Sequence, residues 1–280
     1  MGTTILVPLD ESPWADAALT TALRLARAAV ADTLLVGLHV VGVTHLSGHL
    51  LRDLAGLLGF EPVLVPEHVE LVYRRQGRKL LDRFEERCRD EGVRCRSLLD
   101  TGAVLARLVH RASTADLVVM GAFGERELTN PGSGGMLAER FVRASPVSVL
   151  CVGREPLEFR GITVGYDGSD GASCALRVVR HLLERVDATC RVVYVEDARH
   201  RPDFDPLPEA VRSLESHDIT VETGRLVGEP HEALAADVEE TGHDLLVLGF
   251  RGRSVLKDLL LGRVTERVMR VADIALLIAR

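Results

Sequence analysis

The chain has 280 residues, of which 46% are apolar and 27% charged, enough to bury a large core and long enough to favour two domains over one. Lys and Arg number 34 against 41 Asp and Glu. The resulting net charge of −7 and pI near 5.8 argue against nucleic acid as the main partner, because phosphate backbones need a concentrated basic footprint.

Taken in chain order, short apolar runs alternate with helix-period segments, the pattern of a parallel sheet with crossover helices. A strand is expected near 3–9, a helix near 13–30, a strand near 33–41 and a helix near 66–91. A strand near 93–99, a helix near 102–114, a strand near 116–121, a helix near 135–144 and a strand near 147–152 follow. After residues 153–160, strands are expected near 161–166, 189–195, 218–223, 244–249 and 274–279. The second helix of this later series is shortened to about Pro208–His217. Nearly continuous apolar runs such as Leu34–Val41 suit a sheet covered on both faces.

The series is a repeat. Thr4-Ile-Leu-Val-Pro-Leu-Asp10-Glu-Ser12 returns as Ile162-Thr-Val-Gly-Tyr-Asp167-Gly-Ser169, each followed by an alanine-rich stretch. Asp116-Leu-Val-Val-Met-Gly121 returns as Asp244-Leu-Leu-Val-Leu-Gly249, and Glu139-Arg140 returns as Glu266-Arg267. Asp10 and Asp167 lie 157 residues apart but Gly121 and Gly249 only 128, so the first copy carries 29 extra residues after its second strand. The expected division is a first domain over 1–153, with an insertion near 42–75, and a second over 160–280, joined by the short linker Gly153–Arg160.

Doubly wound sheets bind ligands beyond the carboxyl ends of their strands, where strand order reverses. Asp10 and Asp167 fall after the first strands, and the fourth strands run into Gly121-Ala-Phe-Gly124 and Gly249-Phe-Arg-Gly252. A further glycine, Gly134 or Gly262, follows 13 residues after Gly121 or Gly249 and opens the next helix. Amides at a helix start favour an anion, and glycines let a ligand approach the backbone. One such loop reads as a tight turn, but two with the same spacing suit a phosphate chain.

On these residues, with His39-Val40-Val41 and Tyr194-Val195-Glu196 on the second strands, the sequence resembles the universal stress protein family in a tandem, two-domain form. The resemblance implies two doubly wound five-stranded parallel sheets of strand order 3-2-1-4-5. It also implies that the two final strands pair within the chain as an intrachain pseudo-dimer. It implies an adenine-nucleotide site, with Asp10 or Asp167 at the adenosine, Val40 or Val195 giving main-chain contacts to the base, and the glycines wrapping ribose and phosphates. Nucleotide-binding members usually follow the last glycine with Ser or Thr. Here Gly134-Gly135-Met136 and Gly262-Arg263-Val264-Thr265 stand instead, which puts that hydroxyl contact in doubt.

The second copy is the better candidate. Arg251, Arg253, Lys257 and Arg263 surround its loop, Thr265 keeps a hydroxyl nearby, and Gly228-Glu229-Pro230 precedes its third helix. The first copy places Glu125 and Glu127 where they would oppose phosphates, although Gly132, Ser133, Gly134 and Gly135 could form an anion nest. The expectation is therefore one ATP site, with magnesium if the phosphates need it, in the C-terminal half. Its residues are Asp167, Val195, Gly249, Gly252, Gly262, Arg263, Val264 and Thr265. A weaker site would use Asp10, Val40, Gly121, Gly124, Gly134 and Gly135.

Catalytic signatures are missing. There is no Gly-x-x-x-x-Gly-Lys-Ser/Thr, and the loops Asp10-Glu-Ser-Pro-Trp and Asp167-Gly-Ser-Asp-Gly match no ATP-activating motif. His45 and His49, with Asp53 one turn on, have zinc-ligand spacing but lack the glutamate of His-Glu-x-x-His. No residue set reads as a metal site, and no catalytic residue is assigned. Slow ATP hydrolysis by way of Asp10 or Asp167 stays open. Five cysteines form no C-x-x-C pair, Cys88 and Cys95 read as buried or unreactive thiols, and a reducing cytoplasm is expected. The absence of a 20-residue apolar span and of a signal peptide leads to no expected membrane partner. In the insertion, Leu50, Leu54, Leu57 and Leu58 have helical spacing and are expected to cover core surface, with a ligand flap as the alternative.

The reading is a stress-response module that binds adenine nucleotide and acts by regulation or interaction. A nucleotide-free scaffold or apolar-ligand binder is the alternative, and a homodimer of whole chains is compatible with either.

Overall fold

The computed structural model describes residues 2–29, 32–42, 66–125, 135–196, 205–251, 263–271 and 274–280. In the first half these form β1 (Thr3–Pro8), α1 (Pro13–Ala28), β2 (Thr33–Gly42), α2 (Pro66–Asp90) and β3 (Arg94–Gly102). α3 (Val104–Ala112), β4 (Leu117–Gly121), α4 (Gly135–Ala144) and β5 (Ser148–Val152) complete it. The second half comprises β6 (Gly161–Gly165), α5 (Asp170–Leu183), β7 (Thr189–Glu196), α6 (Leu207–Glu215) and β8 (Glu222–Val227). It ends with α7 (Pro230–Thr241), β9 (Leu245–Gly249), α8 (Arg263–Val271) and β10 (Ala275–Ala279).

The serine of each Asp-x-Ser repeat has a structural duty. Ser12 and Ser169 are the N-caps of α1 and α5, and their hydroxyls accept from the amides of Ala15 and Ala172, both at 3.2 Å. Pro13 at the first turn of α1 suits a position with no amide partner. The alanines behind these caps let the helices lie close on the sheet: Ala18, Ala22 and Ala175 are fully buried.

The ten described strands form one sheet, ordered β3-β2-β1-β4-β5-β10-β9-β6-β7-β8. Each half is parallel throughout and has the expected order 3-2-1-4-5. The halves join where β5 and β10 run antiparallel, Cys151 opposite Leu276, Leu150 opposite Leu277 and Val149 opposite Ile278. Both strands are buried along their length, so this seam is core and not a surface contact. Apolar side chains from both halves mingle on each face: Val7, Leu150, Leu277 and Val164 on one, Val118, Val149, Leu246 and Ile278 on the other.

The linker is built into that core. Leu157 and Phe159 are buried, and the Leu157 amide donates to Thr21 on α1 at 3.0 Å. The Asp244 carboxylate, at the start of the repeated fourth strand, receives the amides of Glu158 and Arg160 at 3.1 and 2.9 Å.

The largest shift of a predicted boundary is in the second half. The third strand of the second half begins at Glu222, four residues after the predicted 218. The intervening residues close α6: the Ile219 amide donates to Leu214 at 3.4 Å and Asp218 takes φ of 59°. This turn left Ile219 and Val221 partly buried outside the ladder, and their alternation mimicked a strand start.

The third helix of each half is tied to the sheet by an ion pair of reversed polarity. In the first half Arg111 on α3 binds Asp100 on β3 through two bonds of 2.9 and 2.7 Å. In the second half Asp237 on α7 receives Arg191 from β7 at 3.1 Å. Arg111 and Asp237 each lie nine residues beyond a matching glycine, Gly102 and Gly228, whose φ values are 140° and 136°. Only Gly228 was singled out from the sequence, because Gly102 lacks the Glu-Pro that follows it.

Candidate functional site

Because β1 pairs with β4 and β6 with β9, the loops after the first and fourth strands of each half emerge side by side. In each half the predicted aspartate and first glycine therefore share one rim.

In the first half Asp10 joins the two loops directly. One carboxylate oxygen accepts from the amide and hydroxyl of Ser12, and the other from the Glu125 amide at 2.9 Å. A Cβ on Gly124 would stand 2.9 Å from that second oxygen, so the lack of a side chain there is what allows the approach. Gly121 sits on Trp14, whose ring meets Phe123 at 5.6 Å between centroids and lies 5.6 Å from the Arg154 guanidinium.

In the second half Asp167 accepts from the Ser169 amide at 3.0 Å, and the Ser169 hydroxyl donates to the Arg251 carbonyl at 3.3 Å. Gly171 stands where the first half has Trp14. A Cβ there would fall 1.9 Å from the Arg251 carbonyl oxygen, and one on Gly249 would fall 2.3 Å from Gly171. Two backbones touch where the first half stacks two aromatic rings. Gly171 was missed from the sequence, although its pairing with Trp14 in the aligned repeats was the available signal.

Val40 and Val195 are half-buried near the carboxyl ends of β2 and β7, with their main chains in the ladders to Asp100 and Leu226. Beside Val40, the His39 ring bonds the Leu9 carbonyl at 2.8 Å, fixing the start of the Asp10 loop. Beside Val195, the Arg225 guanidinium lies 5.8 Å from the Tyr194 ring and bridges Glu196 and Asp205 at 3.0 and 2.6 Å. It therefore ties the end of β7 to the approach of α6, and those acidic partners hold its pKa up.

Gly135 opens α4, and Arg263 and Val264 open α8. Thr265 is buried, and its hydroxyl donates to the Gly249 carbonyl at 3.4 Å. This contact joins the two ends of the second glycine loop. Gly134, Gly252 and Gly262 lie outside the described residues, as do Glu127, Gly132, Ser133, Arg253, Lys257 and the Arg263 side chain.

The second glycine loop also touches the seam. Phe250 is buried, its amide donates to Ala279 at 2.9 Å, and the Arg280 guanidinium covers its ring at 3.4 Å. Arg280 in turn donates to the carbonyls of Val142 and Arg143 at 3.3 and 3.0 Å, a cation at the carboxyl end of α4 in the other half. Burial, and then the nearby Arg251, lower its pKa.

Chemically, the described rim offers carboxylates, backbone amides and an exposed arginine, a set suited to a sugar and an anion. Among the described residues no group of three His, Cys, Asp or Glu could hold a metal ion. His45, His49, Asp53 and the leucines of the insertion lie outside them. No described helix is long and apolar enough to cross a membrane.

Comparison with known proteins agrees with the architecture. The pattern of the universal stress protein family matches residues 1–153 and again 158–280. Universal stress protein Slr1230 of Synechocystis is 29% identical over 184 residues, 64% of this chain and 63% of that protein, so the match spans less than two thirds of its relative. Universal stress protein YxiE of Bacillus subtilis is 25% identical over 147 residues, 44% of this chain but 99% of that protein. A crystal structure of a universal stress protein from Archaeoglobus fulgidus superposes with a TM-score of 0.75 at 17% identity, covering 99% of this chain and 96% of that one. With both halves matched and one fold spanning the whole, the chain belongs to the universal stress protein family, in tandem two-domain form.

Proposed function

We propose that this protein is a stress-response module that binds adenine nucleotide, ATP, at the rim of its C-terminal half and acts by regulation, not catalysis. The observation that carries the reading is the direct seating of the Asp167 loop on the Gly249 loop, through Ser169–Arg251 and Gly171–Gly249. A nucleotide spanning both loops would meet Asp167 and the Val195 main chain at the adenosine. Gly249, Gly252, Gly262 and the first turn of α8, with Arg263, Val264 and Thr265, would face the phosphates, and magnesium would accompany them as needed. The residues present fit this use, since helix-start amides and glycine backbones favour an anion. A second, weaker site would use Asp10, Val40, Gly121, Gly124, Gly134 and Gly135. There a ligand must displace the Glu125 amide from Asp10.

Regulation needs a ligand that favours one of two states. The contact chain Gly249–Phe250–Arg280–α4 gives occupancy of the second rim a route to the other half, and two such chains could pair as a homodimer.

One observation favours the alternative of a nucleotide-free scaffold or apolar-ligand binder: the Thr265 hydroxyl is engaged with Gly249. Nucleotide released by heating purified protein, followed by calorimetric titration with ATP, separates the readings. Binding abolished by Asp167→Ala with Gly252→Val is expected. No released nucleotide and no binding heat would favour the scaffold, and magnesium-dependent turnover would overturn the non-catalytic assignment.

A further inference from the structure

α2 and β3 run antiparallel, joined by a tight turn in which Gly92 takes φ of 66° and the Val93 amide donates to the Cys88 carbonyl at 2.8 Å. From that turn, alternate residues of β3 face α2. Leu99 lies against Gly77, the Ser97 hydroxyl donates to Glu85, and Cys95, two residues back on the same face of β3, packs on the core cluster that holds Cys88, one helical turn beyond Glu85. The last rung is thus a pair of thiols facing each other across the helix–strand contact. Cys88 is buried on the helix side and Cys95 half-buried on the strand side. The matching α6–β8 unit of the second half has no cysteine.

We infer that Cys88 and Cys95 form a redox modification site, a dithiol that a peroxide converts to an intramolecular disulfide bracing α2 against β3. The accessible Cys95 thiolate attacks the peroxide oxygen, the O–O bond breaks, and a sulfenic acid and water or an alcohol result. Cys88 sulfur then displaces hydroxide from that sulfenic sulfur, forming the S–S bond and, with the thiol proton, a water molecule. The two sulfurs lose two electrons together, and the peroxide takes them.

The two positions differ as such a sequence requires. Cys88 is fully buried, so Cys95 is the group that meets the oxidant, and the same burial, with the neighbouring Cys95, pushes the Cys88 thiol up to about 12. Once deprotonated, a high-pKa thiol is the stronger nucleophile, and contact supplies the effective concentration. The remaining cysteines provide controls. Burial pushes Cys151 and Cys190 up to about 12 as well, with no facing thiol described, while Cys174 is half-buried on α5. In a reducing compartment a bridge of this kind is transient and reports oxidant, in keeping with how disulfides are used there. Its consequence reaches the first rim, because α2 presses Gly77 onto His39, the residue that holds the Leu9 carbonyl.

The test is to treat the fully reduced, full-length protein with hydrogen peroxide, block free thiols after denaturation, and map the fragments by mass spectrometry. A fragment pair joined through Cys88 and Cys95, lighter by two hydrogens and restored by dithiothreitol, is expected, with thermal unfolding shifted upward by a few degrees. In Cys88→Ser, Cys95 should stop at a sulfenic acid that a dimedone probe traps. If wild-type Cys88 stays free while Cys95 proceeds to sulfinic acid, or if the bridge maps to another pair, the assignment is overturned. Wild-type mapping decides the matter even if a variant fails to fold.

Discussion

The two glycine loops share their spacing and their place in the fold, yet they are seated differently. In the first half the Cβ and main chain of Trp14 lie beneath Gly121, and its ring stacks on Phe123, with Arg154 outside. In the second half Gly171 removes that filler and lets the Arg251 backbone descend onto α5. A repeat therefore conserves the geometry of a rim without conserving what supports it. Both seats press main chain on the glycine, but the second is tighter: an added Cβ would fall 2.9 Å from the Trp14 main chain at Gly121 and 2.3 Å from the Gly171 main chain at Gly249.

The largest expected effect follows from that contrast. Gly171→Val should destabilise the protein by about 3 kcal/mol, since its Cβ falls on backbone that cannot swing aside as a side-chain end would. Urea unfolding measures the loss, and a loss below that of Trp14→Ala would break the comparison. Trp14→Ala should cost about 2 kcal/mol, less than for a fully buried tryptophan because the ring is half-exposed. ATP titration adds a second reading: Trp14→Ala should leave binding at the proposed C-terminal site unchanged, whereas Gly171→Val should abolish it.

The same contrast marks what could be read from sequence. The parallel halves and the strand-end places of Asp10, Gly121, Asp167 and Gly249 were legible, because repeated apolar runs and glycine spacing are local signals, whereas the strand order came from the family resemblance those motifs carry. The seats were not, because Trp14 gains its meaning only when Phe123, 109 residues away, is brought to its face. The bond from the Thr265 hydroxyl to the Gly249 carbonyl was not legible either, because its partner lies 16 residues away. The start of β8 was misplaced because a helix-closing turn at Asp218 used residues with a strand's alternation. Leu157 and Phe159 look like linker residues until the seam buries them. Tertiary contact decides each of these, and no window of sequence contains it.

The reversed ion pairs offer a finer probe of how the halves differ. Hydrogen bonding to Arg111 holds the Asp100 carboxyl below the usual range, against the opposing effect of partial burial. Its folded pKa thus lies below the unfolded value of about 3.9, so its contribution is fully present above that pH. It is lost as pH falls through the folded value. Asp100→Asn should cost about 1 kcal/mol at neutral pH, discounted because the Arg111 side chain is about one-third exposed. The variant's stability should also fall less steeply than wild type between pH 5 and the acid midpoint. Equal slopes would show that Asp100 does not contribute to the acid limb.

The smallest effect tests whether the halves act as one body. Arg143 on α4 binds Glu139 on its own helix at 2.8 Å and Glu266 on α8 at 2.9 Å, and these partners hold its pKa up. Glu139 and Glu266 are the same residue of the repeat, so one bond stays within a half while the other crosses the seam. Each pair is partly exposed, and Glu139→Gln and Glu266→Gln should each cost only about 0.5 kcal/mol. Their kinetic signatures should differ. Glu139 supports a local helix pair, whereas Glu266 holds α8 against α4, beside the carbonyls that Arg280 caps. Hydrogen exchange of the α4 amides should therefore quicken in both variants, but that of the α8 amides only in Glu266→Gln. If exchange in α8 quickens equally in both, the ion pairs are read out by the whole pseudo-dimer, and the buried pairing of β5 with β10 couples the halves without help from the helices above it.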